Sequence, residues 1–157
     1  MYIKQIADKL AEKYQTRDPF AIADALGFIT VFVPLQGVRG FFQRAKRCNI
    51  IYIDDQLDDQ QRKLVCAHEL WHGIEHRKFN RIFLNQNTYQ VTGRYEKEAN
   101  CFAACLLFDD DEVEEIEELT IPQISRCWGV PPDICQYRVE LSKTEKSPPS
   151  VAALDEL

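Results

Sequence analysis

His68-Glu69-Leu70-Trp71-His72 sets two imidazoles four residues apart with a carboxylate between them. The surrounding run, Leu64 to Ile74, is apolar and helix-like. Positions four apart on an α-helix stand one above the other. His68 and His72 would therefore point the same way and grip one metal ion. Glu69, one residue further round, would bring a carboxylate beside that ion without ligating it. Two imidazole ligands and an adjacent base form the core of a zinc hydrolase.

A catalytic zinc takes three protein ligands and keeps a fourth position for water. His76 lies one more turn along the same helix and would converge with the pair only if the helix broke at Gly73. It is better read as a surface histidine or a neighbour of the site. The stretch Tyr95 to Ala104 offers a better third ligand. Glu96 and Asn100 share a helix face with Ala99 and Ala103, whose small side chains let two helices approach closely. Glu98 points about 200° away from Glu96, so a regular helix offers only one of them. Glu96 is the expected ligand and Glu98 the alternative. Asn100 is placed to hydrogen-bond a ligating histidine. Tyr89, Arg94, Tyr95 and His76 are the nearest candidates to stabilise a developing oxyanion.

The elements that must hold these residues are legible in outline. Ile3, Ile6, Ala7, Leu10, Ala11 and Tyr14 form a helical stripe. Asp18-Pro19 reads as a cap and first turn of a helix that stops at Gly27. Phe28 to Val33, Phe41 to Arg44 and Asn49 to Ile53 read as strands, the last two joined by a hairpin across Ala45-Lys46-Arg47. Asp58 and Gln61 resemble a capping box for the motif helix. Phe83 and Leu84 suggest a short strand. Helices are expected at Glu96 to Leu107, Asp110 to Leu119, Ile121 to Trp128 and Pro131 to Leu141. Residues 142–157, with Pro148-Pro149-Ser150, are expected to be a disordered tail.

The pairing of His68-Glu69-Leu70-Trp71-His72 with Glu96-Lys97-Glu98-Ala99-Asn100-Cys101-Phe102-Ala103 resembles the ImmA/IrrE family of metallopeptidases. The strand Asn49 to Asp54 and the two small C-terminal helices fit the same resemblance, which covers residues 2–141. It implies an α+β, zincin-like domain over residues 1–141. N-terminal helices would precede a short three-stranded, mostly antiparallel sheet. The motif helix would pack on a Glu-bearing helix, and residues 121–141 would form a helix-turn-helix-like pair. It further implies Zn2+ on His68, His72 and Glu96, with Glu69 as catalytic base. The implied activity is cleavage of a specific protein substrate, a helix-turn-helix repressor of a mobile element or stress response. The family often follows its Leu-Leu pair with Met-Pro, where this chain has Phe108-Asp109, which alters the exit of the second helix. The alternative reading is a non-catalytic zinc protein that sequesters a partner, as a toxin–antitoxin or anti-repressor component.

The remaining features bound these readings. The chain has 157 residues, enough for one domain with a real core. No apolar run approaches a membrane span and the N-terminus lacks the apolar core of a signal peptide, so a cytoplasmic protein is expected. The six cysteines form no C-x-x-C pair and read as free thiols, Cys101 and Cys105 within a core-like run. Residues 1–108 carry 15 basic and 12 acidic residues, and residues 109–157 carry 4 and 13. Eight of the ten residues from Asp109 to Glu118 are acidic, which reads as a solvated face. Only Arg126 and Arg138 are basic in the 121–141 pair, so direct nucleic-acid binding is not expected.

Overall fold

Alternation of β-branched and aromatic residues builds three strands, β1 (Phe28–Val33), β2 (Gly40–Ala45) and β3 (Cys48–Asp54). They come from a computed structural model that describes residues 2–76 and 88–146, leaving out the side chains of residues 76, 88–92, 145 and 146. The Phe83-Leu84 strand expectation lies outside the described residues. β3 occupies the middle of the sheet, parallel to β1 and antiparallel to β2. The sheet is thus mixed, not mostly antiparallel. The cause is the 34–39 connection, which straddles the end of β3 and leaves a strand-wide gap between β1 and β2. Asp54 pins that connection: its Oδ1 accepts from Leu35 N–H at 3.2 Å and its own N–H donates to the Arg39 carbonyl at 2.9 Å. The β2–β3 hairpin turns on Lys46 and Arg47, both at positive φ (47° and 72°).

Helices cover one face of this sheet. α1 (Tyr2–Tyr14) and α2 (Pro19–Ala25) precede it, and Asp18 caps α2 by accepting from Phe20 N–H at 3.1 Å. α3 (Asp59–His76) carries the H-E-x-x-H segment as one unbroken helix. Its start is the expected capping box: Gln61 N–H donates to Asp58 Oδ1 at 2.8 Å, and Asp58 N–H donates to Gln61 Oε1 at 3.2 Å. α3 buries Leu64, Val65, Ala67, Leu70 and Trp71 between the sheet and α4 (Thr88–Leu107). Trp71 stacks on Phe102 of α4 with ring centroids 4.9 Å apart. Gly73 permits the close seat of α3 on the sheet, since a Cβ there would stand 2.2 Å from Phe28 Cε1.

The C-terminal part closes the far end of α4. The acidic helix α5 runs only Asp110–Glu115, shorter than the periodicity implied, and Asp109 caps it. α6 (Ile121–Trp128) and α7 (Pro132–Lys146) follow. α7 thus runs past Leu141, so residues 142–146 are helical, not part of a disordered tail. Phe108, buried, stacks on Trp128 with centroids 4.0 Å apart. The Phe108-Asp109 departure lies at the opposite end of α4 from Glu96, about 18 Å away by helical rise, and so does not shape the exit near the site. Arg138 is 1% exposed; it donates to the Phe108 carbonyl at 2.8 Å and pairs with Asp110. It has no face to offer a phosphate backbone. Among the described residues no helix is long and apolar enough to cross a membrane.

Candidate metal centre

α3 and α4 pack side by side, and the small face of α4 at Ala99 and Ala103 is wholly buried in that contact. The packing brings Glu96 and Asn100 opposite the two histidines. His68 Nε2 stands 3.1 Å from His72 Nε2 and 3.1 Å from Glu96 Oε2, and His72 Nε2 stands 3.3 Å from Glu96 Oε1. Two ligands of a tetrahedral zinc at 2.0–2.1 Å lie about 3.3 Å from each other. The two imidazole nitrogens thus stand close to that spacing, and each has a different oxygen of the Glu96 carboxylate at a similar distance, so all three side chains converge on one point.

The protonation chemistry agrees. His68 Nδ1 lies 2.8 Å from Asn100 Oδ1. An amide oxygen only accepts, so Nδ1 carries the hydrogen and Nε2 presents its lone pair. Burial, then the neighbouring His68, holds His72 below the ordinary imidazole range, with Glu96 pulling the other way. That favours the neutral, ligating form. His72 Nε2 faces the His68 lone pair at 3.1 Å and Glu96 Oε1 at 3.3 Å, a position that suits either a proton on His72 or a cation shared by the three groups. The donor set of two imidazoles and one carboxylate fits a divalent ion. Among the described residues this is the only such cluster, and it has three donors, not four.

Glu69 sits one residue round from His68, as the helix geometry requires. Burial, then the Glu96 carboxylate, pushes its pKa up to about 7, while a hydrogen bond from the Phe42 N–H of β2 pulls it down. That main-chain contact had no signature in the sequence, because any residue supplies an N–H. Its one visible trace is Gly40: a Cβ there would lie 2.4 Å from Val65 Cγ1 and 3.8 Å from Glu69 Cγ, so β2 comes close to α3 only with glycine at that position.

The other expected residues separate clearly. Glu98 accepts from Arg94 Nε at 3.0 Å and is not part of the cluster. Tyr95 is half-buried on α4. The side chains of His76 and Tyr89 lie outside the described residues. β3, the strand just before the motif helix, has both edges paired; among the described residues β2 is paired on one edge only, and its Phe42 N–H reaches Glu69.

Residues 23–140 match the model of the Peptidase_M78 family, described as the IrrE N-terminal-like domain. "Uncharacterized immunity region protein 2" of Bacillus phage phi105 is 32% identical over 139 residues, spanning 87% of this chain and 88% of that protein. "Metallopeptidase ImmA" of Bacillus subtilis (strain 168) is 24% identical over 143 residues, spanning 87% of this chain and 83% of that protein. A Mycobacterium tuberculosis transcriptional regulator superposes with a TM-score of 0.62 at 18% identity, covering 88% of this chain and 46% of that one. At that identity the likeness is one of fold.

Proposed function

This chain belongs to the Peptidase_M78 metallopeptidase family, and on that premise we propose that it is a zinc-dependent endopeptidase. Its substrate in this reading is a helix-turn-helix repressor of a mobile element or stress response. The observation that carries the proposal is the spacing of His68, His72 and Glu96 with Glu69 beside them. The three protein donors found among the described residues leave a coordination position for water, whereas a zinc that only holds a fold takes four. That difference argues against the purely partner-binding reading.

His68, His72 and Glu96 would hold the ion, which supplies Lewis acidity and acidifies a water molecule. Asn100 fixes the His68 tautomer. Glu69 takes the proton of the attacking water and returns it to the leaving amine. Its place beside the three donors, held by the Phe42 N–H, suits it to both transfers. The open edge of β2 receives the substrate as an added strand. The name of the phage relative, an immunity region protein, supports a mobile-element setting, in which the partner would be a repressor in the cytoplasm.

The experiment pairs the purified protein with a repressor encoded beside its gene. Wild type should cut that repressor, and Glu69→Gln should retain zinc and cut nothing. Undiminished cleavage by Glu69→Gln would remove Glu69 from the role of base.

A further inference from the structure

β2 has two unlike halves. Gly40-Phe41-Phe42 is apolar and lies at Glu69, whereas Gln43-Arg44 and the following Lys46-Arg47 turn are polar or charged. Charged residues protect a sheet edge from pairing with another chain. The half beside the site has none. Its main-chain parity is set by Asp54 N–H, which donates to the Arg39 carbonyl. Arg39, Phe41 and Gln43 therefore bond β3, and the main-chain groups of Gly40, Phe42 and Arg44 turn toward the open edge. The Phe42 N–H on Glu69 agrees with that parity.

Side chains follow the opposite alternation. Ile51, Ile53 and Phe42 face the helices, and Phe41 and Tyr52 face away from them. Phe41 stacks on Tyr52 with centroids 4.6 Å apart, and Tyr52 stands opposite Val31 of β1. The row Val31–Tyr52–Phe41 thus crosses the whole sheet and ends, 40% exposed at Phe41, on the edge that adjoins Glu69. Among the described residues no element packs on it.

We propose that Phe41, backed by Tyr52, is a specificity-determining residue of the peptidase, selecting an apolar or aromatic side chain next to the scissile bond. The proposal rests on the hydrolase reading above. A strand added along β2 lies about 4.8 Å away, and its side chains alternate between the α3 face and the outer face. A residue presented to Glu69 and the metal donors is flanked by neighbours on the outer face. There they meet Phe41 at the cross-strand distance, about 4.5–5.5 Å, and extend the row Val31–Tyr52–Phe41 by one member. The chemistry that fits is an extended, apolar segment of a partner protein.

The test compares wild type, Phe41→Ala, Phe41→Leu and Gln43→Ala, each zinc-loaded, on a proteome-derived peptide library with sequencing of the cut ends. Wild type should show apolar or aromatic enrichment at one fixed position beside the scissile bond. Phe41→Ala should hold zinc and melt cooperatively a few degrees below wild type, lose that enrichment, and lose about tenfold in kcat/KM on the enriched peptides, mostly through KM. Phe41→Leu should recover an aliphatic preference, and Gln43→Ala should keep the wild-type profile. An unchanged profile in Phe41→Ala, or a wild type that cuts with no apolar preference, overturns the proposal and leaves the hydrolase reading standing. Zinc-loaded wild type that cuts nothing in the library overturns this proposal, and failure to cut the repressor encoded beside its gene as well overturns both.

Discussion

The two ends of α4 treat charge in opposite ways. At the C-terminal end three carboxylates meet cations: Asp8 pairs with Lys4 and Arg17, Asp110 with Lys4 and Arg138, and Asp109 with Arg17. Arg17 and Arg138 also donate to the last carbonyls of the helix, at Cys105, Leu106 and Phe108, where the macrodipole favours positive charge. At the other end Glu96 faces two imidazoles, one held neutral by burial, and lies near a second carboxylate, Glu69. Groups that only stabilise a fold are brought together with compensation. Groups proposed to hold a cation are brought together with less compensation. In that reading the same helix serves as a clamp at one end and a ligand holder at the other.

The sharpest way to break this comparison is to exchange the consequences of the two ends. Glu96→Ala should lose metal and lower cleavage by about 10²–10⁴-fold, the range expected when a catalytic constellation is dismantled. Its metal-free melting temperature should stay level or rise, because a like charge near Glu69 is removed. Glu98→Ala should keep both metal and activity. Loss of zinc only in the Glu98 variant would move the ligand to the other face of α4. At the far end Arg138→Met should do the reverse. It leaves the Phe108 carbonyl without its buried donor and Asp110 without one of its cations, at a cost of about 2–4 kcal/mol in chemical denaturation. Metal bound per folded molecule should not change.

The convergence of these side chains was legible because its geometry is local: the alignment of His68 with His72 follows from helical spacing, and that of Glu96 with Asn100 from the same arithmetic on a second helix. The Asp58–Gln61 cap and the strand Phe28–Val33 are likewise short-range. What escaped depends on distant chain. The parallel pairing of β1 with β3 comes from the 34–39 connection looping round Asp54, a fact about a loop rather than a strand. α4 begins at Thr88 rather than Glu96, and its polar first two turns carry no apolar stripe to reveal them. Arg138 read as one of two cations on a helix-turn-helix-like pair, but its partners lie thirty residues upstream at the end of α4. The acidic run from Asp109 is not wholly a solvated face, since its first two residues neutralise the clamp.

Acid should separate the two ends as well. Burial tends to raise the Asp110 pKa, but hydrogen bonds from Arg138 and Lys4 outweigh it and hold the carboxyl below its ordinary 3.8. Stability from this group is present above the unfolded-state value and is lost as pH falls through the lower folded-state value. Metal-free protein should therefore weaken as pH falls below about 4, and Asp110→Asn should flatten that part of the stability–pH curve. Asp110 is largely exposed, so the effect is expected to be smaller than that of removing Arg138. An unaltered acid limb in Asp110→Asn would mean that the clamp is electrostatically idle.

The smallest effect lies outside both ends and serves as their control. Lys46 and Arg47 take positive φ in the two-residue β2–β3 turn, a conformation that side chains with a Cβ resist and that Asn-Gly adopts readily. Replacing the pair by Asn-Gly should raise stability by about 1 kcal/mol, or about 2–4 °C in melting temperature for a chain of this size. The turn holds neither a metal donor nor a member of the arginine clamp, so zinc content and the acid limb should both be unchanged. A fall in melting temperature would show that these two residues do not adopt the mirror-image turn. A change in zinc content would show that the β2 main chain governs the ligand end of α4 as well as the position of Glu69.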